Sequence, residues 1–230
     1  MPRLRLPLAA GRAAAIVFTT RADGDLAIHG EHDVLAARRA AIVDAPWTWL
    51  RQVHGGRVVE VCAPGEHAGV EADAAITTQP GVVLAAHAAD CALVALITDD
   101  GVLGVVHAGW RGIVEGVITA AVEQVRARSD APVRAVLGPC IRPAHYEFGA
   151  DDLARVAAVV GDAARARTAD GSPALDLPAS VRAALGSAGV DDVNDLGLDT
   201  AHADFFSHRL RGDTGRHALV AWIEPAGGAS

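Results

Sequence analysis

Residues 86–112 read AHAADCALVALITDDGVLGVVHAGWRG, two apolar runs joined by a short acidic turn. The runs are rich in β-branched residues or alanine, which is typical of strands. The turn at 99–101 reads Asp-Asp-Gly and predicts a tight hairpin connection. Cys91 begins the first strand and His107 ends the second. An antiparallel hairpin would bring these two side chains to the same end of the sheet, where they could share one metal ion.

A third candidate ligand, His54, lies upstream in RQVHGG, residues 51–56. Thiolate and imidazole are ligands that zinc prefers, and copper accepts the same donors. Three protein ligands leave a fourth tetrahedral position open for water or substrate, which is the arrangement of catalytic rather than structural zinc sites. We therefore expect a metal site at His54, Cys91 and His107, with zinc as the first choice and copper as the alternative.

Each of these residues has a more ordinary interpretation when it is taken alone. A cysteine at the start of an apolar strand is more often a buried structural thiol. Single histidines at strand ends are more often hydrogen-bonded residues than ligands. His87 lies in the same strand region, and we interpret it as a core histidine or one that supports a ligand.

Composition excludes several classes of function. The chain has 230 residues and is 51% hydrophobic, which is enough for a substantial core in one large domain or two small ones. Its formal charge is −8 and its basic residues are scattered, so we expect no nucleic-acid partner and no anionic membrane surface. No charge-free apolar run reaches the roughly 18 residues that span a bilayer. A small-molecule substrate fits best.

Cysteine usage indicates the compartment. Cys62, Cys91 and Cys140 cannot all pair, and a chain of this length needs no disulfides, so we expect a reducing cytoplasm. The first residues resemble a signal peptide superficially, but proline, glycine and arginine interrupt the apolar run. We expect a short tail over residues 1–12 that enters a first strand near 14–19.

Periodicity predicts the remaining elements. Short apolar runs between Gly, Pro or Asp predict strands of one sheet system at residues 57–62, 82–87, 93–98 and 102–107. A further strand is expected at 133–137 and a final buried strand after a loop at 212–215. Helical spacing is expected at 113–128, 151–160 and 180–185. Residues 163–178 show the weakest pattern of all.

With these motifs in view, the chain resembles the YfiH family, also called the multicopper polyphenol oxidoreductase or laccase-domain family, whose bacterial members are assigned as purine nucleoside phosphorylases. The order and spacing of several motifs carry the resemblance, and the set is far more specific than any one of them. The matching segments are QVHG (52–55), ADA around Asp73, ADC (89–91), HAGWRG (107–112), GPCI with HYEFG (138–149), and FFSHR with TGR (205–216).

The resemblance implies an α/β fold, a single layered α/β/β/α domain over residues 1–230 with mixed, largely antiparallel sheets. It implies a metal held by His54, Cys91 and His107. It also implies metal-dependent phosphorolysis of adenosine, inosine and methylthioadenosine to the free base and ribose 1-phosphate, with adenosine deamination as a second activity. The partners are then a purine nucleoside and phosphate, and the chain is a monomer or a small homo-oligomer.

Deamination needs a proton shuttle beside the metal. A bound cation lowers the pKa of water from about 16 to about 7, and zinc nucleobase deaminases use a nearby carboxylate to move the proton. Asp73 and Asp90 are the candidates. The alternatives are that Asp90 orients a ligand imidazole and that Asp73 caps a turn.

Phosphorolysis needs an anion pocket, since phosphate must attack the anomeric carbon. Arg111 is one candidate, because it opens a helix whose free N–H groups add to its charge. Arg209 and Arg216 are further candidates from the C-terminal loop. The alternatives are an ion pair from Arg111 to Glu115 on its own helix and solvated loop arginines.

Three other residues enter as sugar or base contacts only because they lie in motifs that match the family. They are Tyr146, Glu147 and His208. Cys62 and Cys140 are expected to be chemically inert.

Three other functions compete with the nucleoside enzyme. Cys91 activated by His107 would make a cysteine hydrolase, conceivably acting on a cell-wall precursor, and bound metal would argue against it. Copper oxidation of phenols requires more ligands than this set provides. A non-catalytic binding module stabilised by its metal is the third alternative.

Overall fold

The computed structural model describes residues 2–226, and its strands form two main sheets and one small hairpin. In chain order the strands are β1 (Arg3–Pro7), β2 (Ala13–Phe18), β3 (Trp47–Trp49), β4 (Val58–Glu60), β5 (Ala74–Thr77), β6 (Val83–Ala88), β7 (Ala92–Thr98), β8 (Leu103–Ala108), β9 (Val133–Leu137), β10 (Arg165–Arg167), β11 (Pro173–Leu175), β12 (Val193–Asp195) and β13 (His217–Glu224).

The first sheet has the order β1-β2-β13-β6-β3 and the second the order β12-β9-β7-β8-β5-β4. Most neighbours are antiparallel, while β3 with β6, β4 with β5 and β12 with β9 are parallel. The expectation of one sheet system was wrong for β6, which lies in the first sheet while β4, β7 and β8 lie in the second. An apolar run predicts a strand, but its partners depend on long-range contacts that no local pattern contains.

The helices cover the outer faces of the two sheets. They are α1 (His32–Ile42), α2 (Trp110–Val114), α3 (Val117–Arg126), α4 (Ala150–Val160), α5 (Leu177–Ser187) and α6 (His208–Arg211). Leu35 and Ile42 of α1 pack on the first sheet. Val122 of α3 and Leu185 of α5 pack on the second. The layer order is therefore α/β/β/α, as predicted.

The main core lies between the two sheets. Ile16, Leu84 and Leu219 point inward from the first sheet and meet Leu93 and Leu103 of the second. All five are fully buried. Because successive residues of a strand point to opposite faces, the intervening residues of the first sheet face α1 instead.

The β7–β8 hairpin forms as predicted. Its register pairs Ala92 with Ala108 at the open end, so Cys91 directly precedes one strand and His107 lies near the end of the other. At the turn, the Thr98 hydroxyl donates to Asp100 over 2.6 Å and accepts the Val102 N–H over 2.9 Å. The hairpin therefore delivers two candidate ligands to one end of the second sheet.

The helix predicted at 113–128 is two helices. It begins earlier, at Trp110, and breaks at Gly116, whose φ of 79° is left-handed. The helices predicted at 151–160 and 180–185 correspond to α4 and α5, and the strand predicted at 133–137 corresponds to β9.

Two weakly patterned segments are more ordered than expected. Residues 3–7 were predicted as part of a tail, but they form β1, which pairs antiparallel with β2 from Arg3 opposite Val17 to Pro7 opposite Ala13. Residues 163–178 contain the β10–β11 hairpin and the beginning of α5. In residues 3–7, alternating Arg and Leu were interpreted as a tail, although they form an edge strand. In residues 163–178, each strand has only three residues, which is too short to give a clear periodic signal. Within residues 2–226 no helix is long and apolar enough to cross a membrane.

Gly138 follows β9 at a position where a side chain has no room. A Cβ there would overlap the ring of Phe18, which is fully buried between the sheets. We expect Gly138→Ala to lower the free energy of unfolding by about 1–3 kcal/mol, because overpacking forces buried groups apart. Urea unfolding measures the loss.

Gly186→Ala is the matched control. This glycine of α5 is exposed, and a Cβ added to it would have only the Asp191 carboxylate nearby, at 3.9 Å. We expect the substitution to leave stability unchanged or raise it by up to about 1 kcal/mol, because alanine favours helix. Equal losses in the two variants would contradict the packing explanation.

Candidate metal centre

Three side chains from separate parts of the chain meet at the open end of the hairpin. His54 comes from the loop between β3 and β4, Cys91 from the residue before β7, and His107 from β8. Each offers one ligand atom, and these atoms all lie within 4.8 Å of one another. Cys91 Sγ lies 3.7 Å from His54 Nε2, and the two imidazole centroids are 4.9 Å apart. The residues selected from sequence are therefore in one cluster.

A buried carboxylate organises this cluster. Asp73 has no exposed surface, and its oxygens accept the His107 Nδ1–H over 2.8 Å. They also accept the backbone N–H groups of Val53, His54 and Gly55 over 3.2, 2.9 and 2.8 Å. Burial by itself would raise the pKa of Asp73, but these hydrogen bonds and the His107 charge hold it below its usual range. The bond to Nδ1 leaves His107 Nε2 for a metal.

The His54 loop is strained and is held from two sides. His54 has a φ of 60°, in the left-handed region that non-glycine residues rarely adopt. The three N–H groups that Asp73 accepts stabilise this conformation. On the other side, the Gln52 side chain donates to the carbonyl of His87 and accepts its N–H, each over 2.7 Å. The loop is thereby tied to both sheets.

The cluster favours an ionised sulfur. Burial by itself would raise the pKa of Cys91, but the neighbouring His107 and His54 lower it to about 6. Burial would lower the pKa of His107, but the Cys91 sulfur and the Asp73 carboxylate raise it to about 9. Thiolate is the form of cysteine that binds metals and attacks electrophiles. In contrast, burial raises the pKa of Cys140 to about 12, which favours its protonated thiol.

Asp90 is anchored to the C-terminal region of the chain. Its φ is 97°, and its carboxylate accepts the Thr200 hydroxyl and the Arg209 backbone N–H, each over 2.6 Å. Both oxygens therefore already accept hydrogen bonds from the protein, which favours positioning over proton transfer. Thr200 is fully buried, and no role for it was predicted from sequence. Its pairing with Asp90 joins residues 110 positions apart, so no local signal marks it.

The three ligands face a cavity of about 450 Å³. Of the predicted substrate contacts, His208 and Arg216 line it. Arg216 Nη1 donates to the carbonyls of Asp213, Thr214 and Gly215 over 3.3, 2.9 and 2.9 Å, which fixes its guanidinium. The cavity also has polar lining residues for which no substrate contact was predicted, namely His29, Gln52, His87 and Thr214.

Tyr146 and Arg209 form a second group outside the described lining of this cavity. The Arg209 guanidinium lies 4.6 Å from the Tyr146 ring centroid, and its Nη1 donates to the Glu147 carbonyl over 2.6 Å. Burial raises the pKa of the Tyr146 hydroxyl, and the charge of Cys91 adds to this effect. Tyr146 is therefore near the cluster, although it does not line the cavity.

Arg111 lies outside the described lining of the cavity. It is exposed, and its guanidinium is 4.4 Å from the centroid of the Trp110 ring. Within residues 2–226 it forms no ion pair with Glu115. Its helix, α2, has only five residues, so the N–H groups at its start supply less potential than a longer helix would.

A two-sheet α/β domain with a His–Cys–His cluster open to a cavity defines a class of candidate metalloenzyme. The chain belongs to the YfiH, or laccase-domain, family: the sequence profile described as "multi-copper polyphenol oxidoreductase laccase" matches residues 18–224.

Relatives and solved structures agree with this assignment. A purine nucleoside phosphorylase of Streptomyces coelicolor is 39% identical over 195 residues, covering 83% of this chain and 80% of that protein. The Neisseria meningitidis protein NMB0706 has a TM-score of 0.80 at 26% identity, covering 98% and 100% of the two chains. YfiH of Bacillus licheniformis has a TM-score of 0.78 at 24% identity over 92% of each chain, which shows a shared fold. The predicted family and fold class are confirmed.

Asp73→Asn tests the carboxylate. An amide accepts through one oxygen only, and its NH₂ group would face the N–H groups that Asp73 now accepts. We expect zinc affinity to fall by about 10–100-fold, the usual effect of removing a partner of a ligand histidine. Competition with a chromophoric chelator measures it. Asp195→Asn is the control, because Asp195 accepts a hydrogen bond from Arg142 over 2.8 Å and is not part of the cluster. An equal loss of zinc affinity in Asp195→Asn would contradict the role of Asp73.

Gly109→Ala tests the packing between two ligands. A Cβ at this position would lie 2.7 Å from His54 Cδ2 and 3.0 Å from Cys91 Sγ. We expect the displaced ligands to bind zinc at least about tenfold more weakly, a loss of about 1.4 kcal/mol, while circular dichroism stays unchanged. Gly112→Ala in the same motif meets nothing closer than 3.4 Å. Unchanged metal content in Gly109→Ala after dialysis would show that the ligands tolerate the intrusion.

Proposed function

We propose that this chain is a metal-dependent purine nucleoside phosphorylase that converts adenosine, inosine and methylthioadenosine into the free base and ribose 1-phosphate. The observation that carries the proposal is the His54–Cys91–His107 cluster on the wall of a cavity of about 450 Å³. Small-molecule sites have volumes of about 300–1,000 Å³. The assignment of the Streptomyces coelicolor relative as a purine nucleoside phosphorylase supports the same reaction.

The donor set fits zinc. Two imidazoles and a sulfur with a lowered pKa match its preferred ligands, and Asp73 already holds His107 by the nitrogen opposite the metal-binding one. Copper accepts the same donors, so zinc is our proposal rather than a consequence of the donors alone. When bound, such a cation supplies Lewis acidity to a substrate oxygen.

The reaction transfers a ribosyl group to phosphate. A phosphate oxygen attacks C1′ of the nucleoside, and the bond from C1′ to the purine nitrogen breaks. The electron pair of that bond goes to the purine, which takes up one proton, and the sugar leaves as ribose 1-phosphate. The protein must therefore bind an anion beside the sugar and hold the purine in line with it.

Arg216 is the best-placed residue for the anion. It lines the cavity, and three backbone carbonyls fix its guanidinium. A preorganised guanidinium binds phosphate well, because little side-chain freedom is lost. We assign His208, on the same cavity, to the sugar hydroxyls. Arg111 and Arg209 add positive potential near the cluster without lining the cavity.

We further propose adenosine deamination as a second activity of the same cluster. His54, Cys91 and His107 would hold a zinc ion that could activate water, and all three residues line the cavity. Asp73 and Asp90 act here as positioning residues, since their oxygens already accept hydrogen bonds from the protein.

The competing functions make different demands on Cys91. A lowered pKa suits a nucleophile as well as a ligand, so metal content separates a cysteine hydrolase from a metalloenzyme. Stoichiometric metal that survives dialysis argues against a free nucleophile. Phenol oxidation would require a copper–thiolate absorption band. A binding module would hold its metal and a nucleoside without turnover.

The cellular setting also belongs to the proposal. Cys62, Cys91 and Cys140 are all free thiols in the described structure, which is the usual state of cysteines in the cytoplasm, where we place the protein. A monomer or a small homo-oligomer remains the predicted state.

Chromatographic product analysis with adenosine tests the function directly. Metal-quantified protein is incubated with and without phosphate. We expect adenine and ribose 1-phosphate only when phosphate is present, and at least about 100-fold less product from Cys91→Ala, a barrier increase of about 2.7 kcal/mol. Cys62→Ala is the matched control, because that cysteine is exposed and lies outside the cluster.

Each other outcome identifies an alternative. Inosine as the sole product would favour a deaminase. Equal activity of Cys91→Ala and wild type would remove the cluster from catalysis. Absence of product from every purine nucleoside, with stoichiometric metal bound, would overturn the proposed function.

A further inference from the structure

His87 is a buried polar residue that the reaction above does not use. It lies on β6, its side chain is almost fully buried at 5% exposure, and it lines the cavity. Neither ring nitrogen has a hydrogen-bond partner within residues 2–226. Buried polar atoms are nearly always paired in native proteins, so two unpaired and buried ring nitrogens on a residue that lines a cavity point to a missing partner.

The position of His87 is fixed relative to the metal cluster. Gln52 holds both its N–H and its carbonyl over 2.7 Å, and His54 follows Gln52 by two residues in the same loop. The imidazole therefore stands at a set place in the cavity that also contains the three ligands.

The surroundings of His87 keep its ring neutral. Burial lowers the pKa of His87 to about 3, and the positive charges of Arg39, His107 and Arg216 act in the same direction. A neutral imidazole carries one N–H donor and one acceptor nitrogen. It is therefore suited to an uncharged polar group with hydrogen-bonding capacity, and it offers no net charge to an anion.

The lining nearby suits a flat heterocycle. Apolar side chains of Ile28, Leu50 and Ala88 line the same cavity. Apolar walls with a few placed polar groups are the usual composition of a site for a planar ligand. A purine has both ring nitrogens that accept hydrogen bonds and substituents that donate or accept them.

His217 provides an internal comparison. It is fully buried, and its two nitrogens also lack partners within the described chain. It lies opposite Ala88 in the β13–β6 register, and its ring contacts Phe205 edge to face with centroids 5.6 Å apart. Unlike His87, it is not part of the described cavity lining.

We propose that His87 determines base specificity by hydrogen-bonding the polar edge of the purine through its ring nitrogens. This inference rests on the proposed function and assigns the base to the part of the cavity bounded by His87 and its apolar neighbours. His87 is then a substrate-binding residue, outside the metal ligands and outside the phosphate site.

Two substitutions separate binding from folding. His87→Phe keeps the ring volume and removes both nitrogens, while His87→Gln keeps a donor and an acceptor. On zinc-loaded protein, calorimetry measures adenosine binding without phosphate, and steady-state kinetics measures KM and kcat with phosphate. His217→Phe is the matched control.

For His87→Phe we expect the adenosine Kd and KM to rise at least about tenfold, kcat to change less than about threefold, and zinc content to stay unchanged. Thermal stability should equal or exceed that of the wild type, since two unpaired buried nitrogens are removed. His87→Gln should recover part of the affinity. His217→Phe should bind adenosine as the wild type does.

Adenosine binding by His87→Phe that equals wild-type binding would overturn the inference, and so would equal losses in His87→Phe and His217→Phe. The wild type distinguishes this inference from the proposed function. If the wild type binds adenosine but releases no base with phosphate, the proposed function fails, and His87 is judged on the Kd values alone. If the wild type neither binds nor converts a purine nucleoside, both fail.

Discussion

The Asp73 carboxylate is the constraint on which the candidate metal centre depends. A buried anion is costly unless hydrogen bonds compensate it. Here the donors are the His107 ring and the N–H groups of residues 53–55. Those donors belong to two of the three segments that meet to form the cluster. The carboxylate therefore keeps His54 in its left-handed conformation. It also binds His107 Nδ1, which leaves Nε2 of that ring for a metal. The same four hydrogen bonds stabilise the anion and assemble the site.

The chain crosses between the two sheets at the site itself. β6 belongs to the first sheet and β7 to the second, and only residues 89–91 connect them. Asp90 makes this short crossing possible with a left-handed φ of 97°, and its carboxylate is held by groups from the C-terminal region. Cys91 consequently stands at the junction of the sheets. This is why the cavity has His87 of the first sheet on one wall and His107 of the second on another.

Sequence patterns predicted the parts of the structure that depend on interactions between residues close together in the chain. The β7–β8 hairpin and the positions of Cys91 and His107 follow from two apolar runs and one turn. The ends of both strands lie within one residue of the predicted ends. The roles of Asp73 and Asp90 depend on donors from distant loops, and that of Thr200 on a contact across 110 residues, so spacing along the chain did not reveal them. The division of strands between two sheets was missed for the same reason. β1 was missed because alternating Arg and Leu in residues 3–6 were interpreted as a tail.

Two histidines that line this cavity, His87 and His107, lie in different electrostatic environments. His107 lies against the Asp73 carboxylate and the Cys91 sulfur, which raise its pKa to about 9. Within residues 2–226, His87 has no carboxylate partner, and burial together with the charges of Arg39 and Arg216 lowers its pKa to about 3. Groups whose environments push their pKa values apart are characteristic of sites that divide chemical roles. With a net charge of −8, the chain as a whole repels phosphate, so the phosphate binding that we propose depends on local cations such as Arg216. A neutral His87 adds no charge beside Arg216, and in our proposal its ring nitrogens form hydrogen bonds with the uncharged edge of the purine.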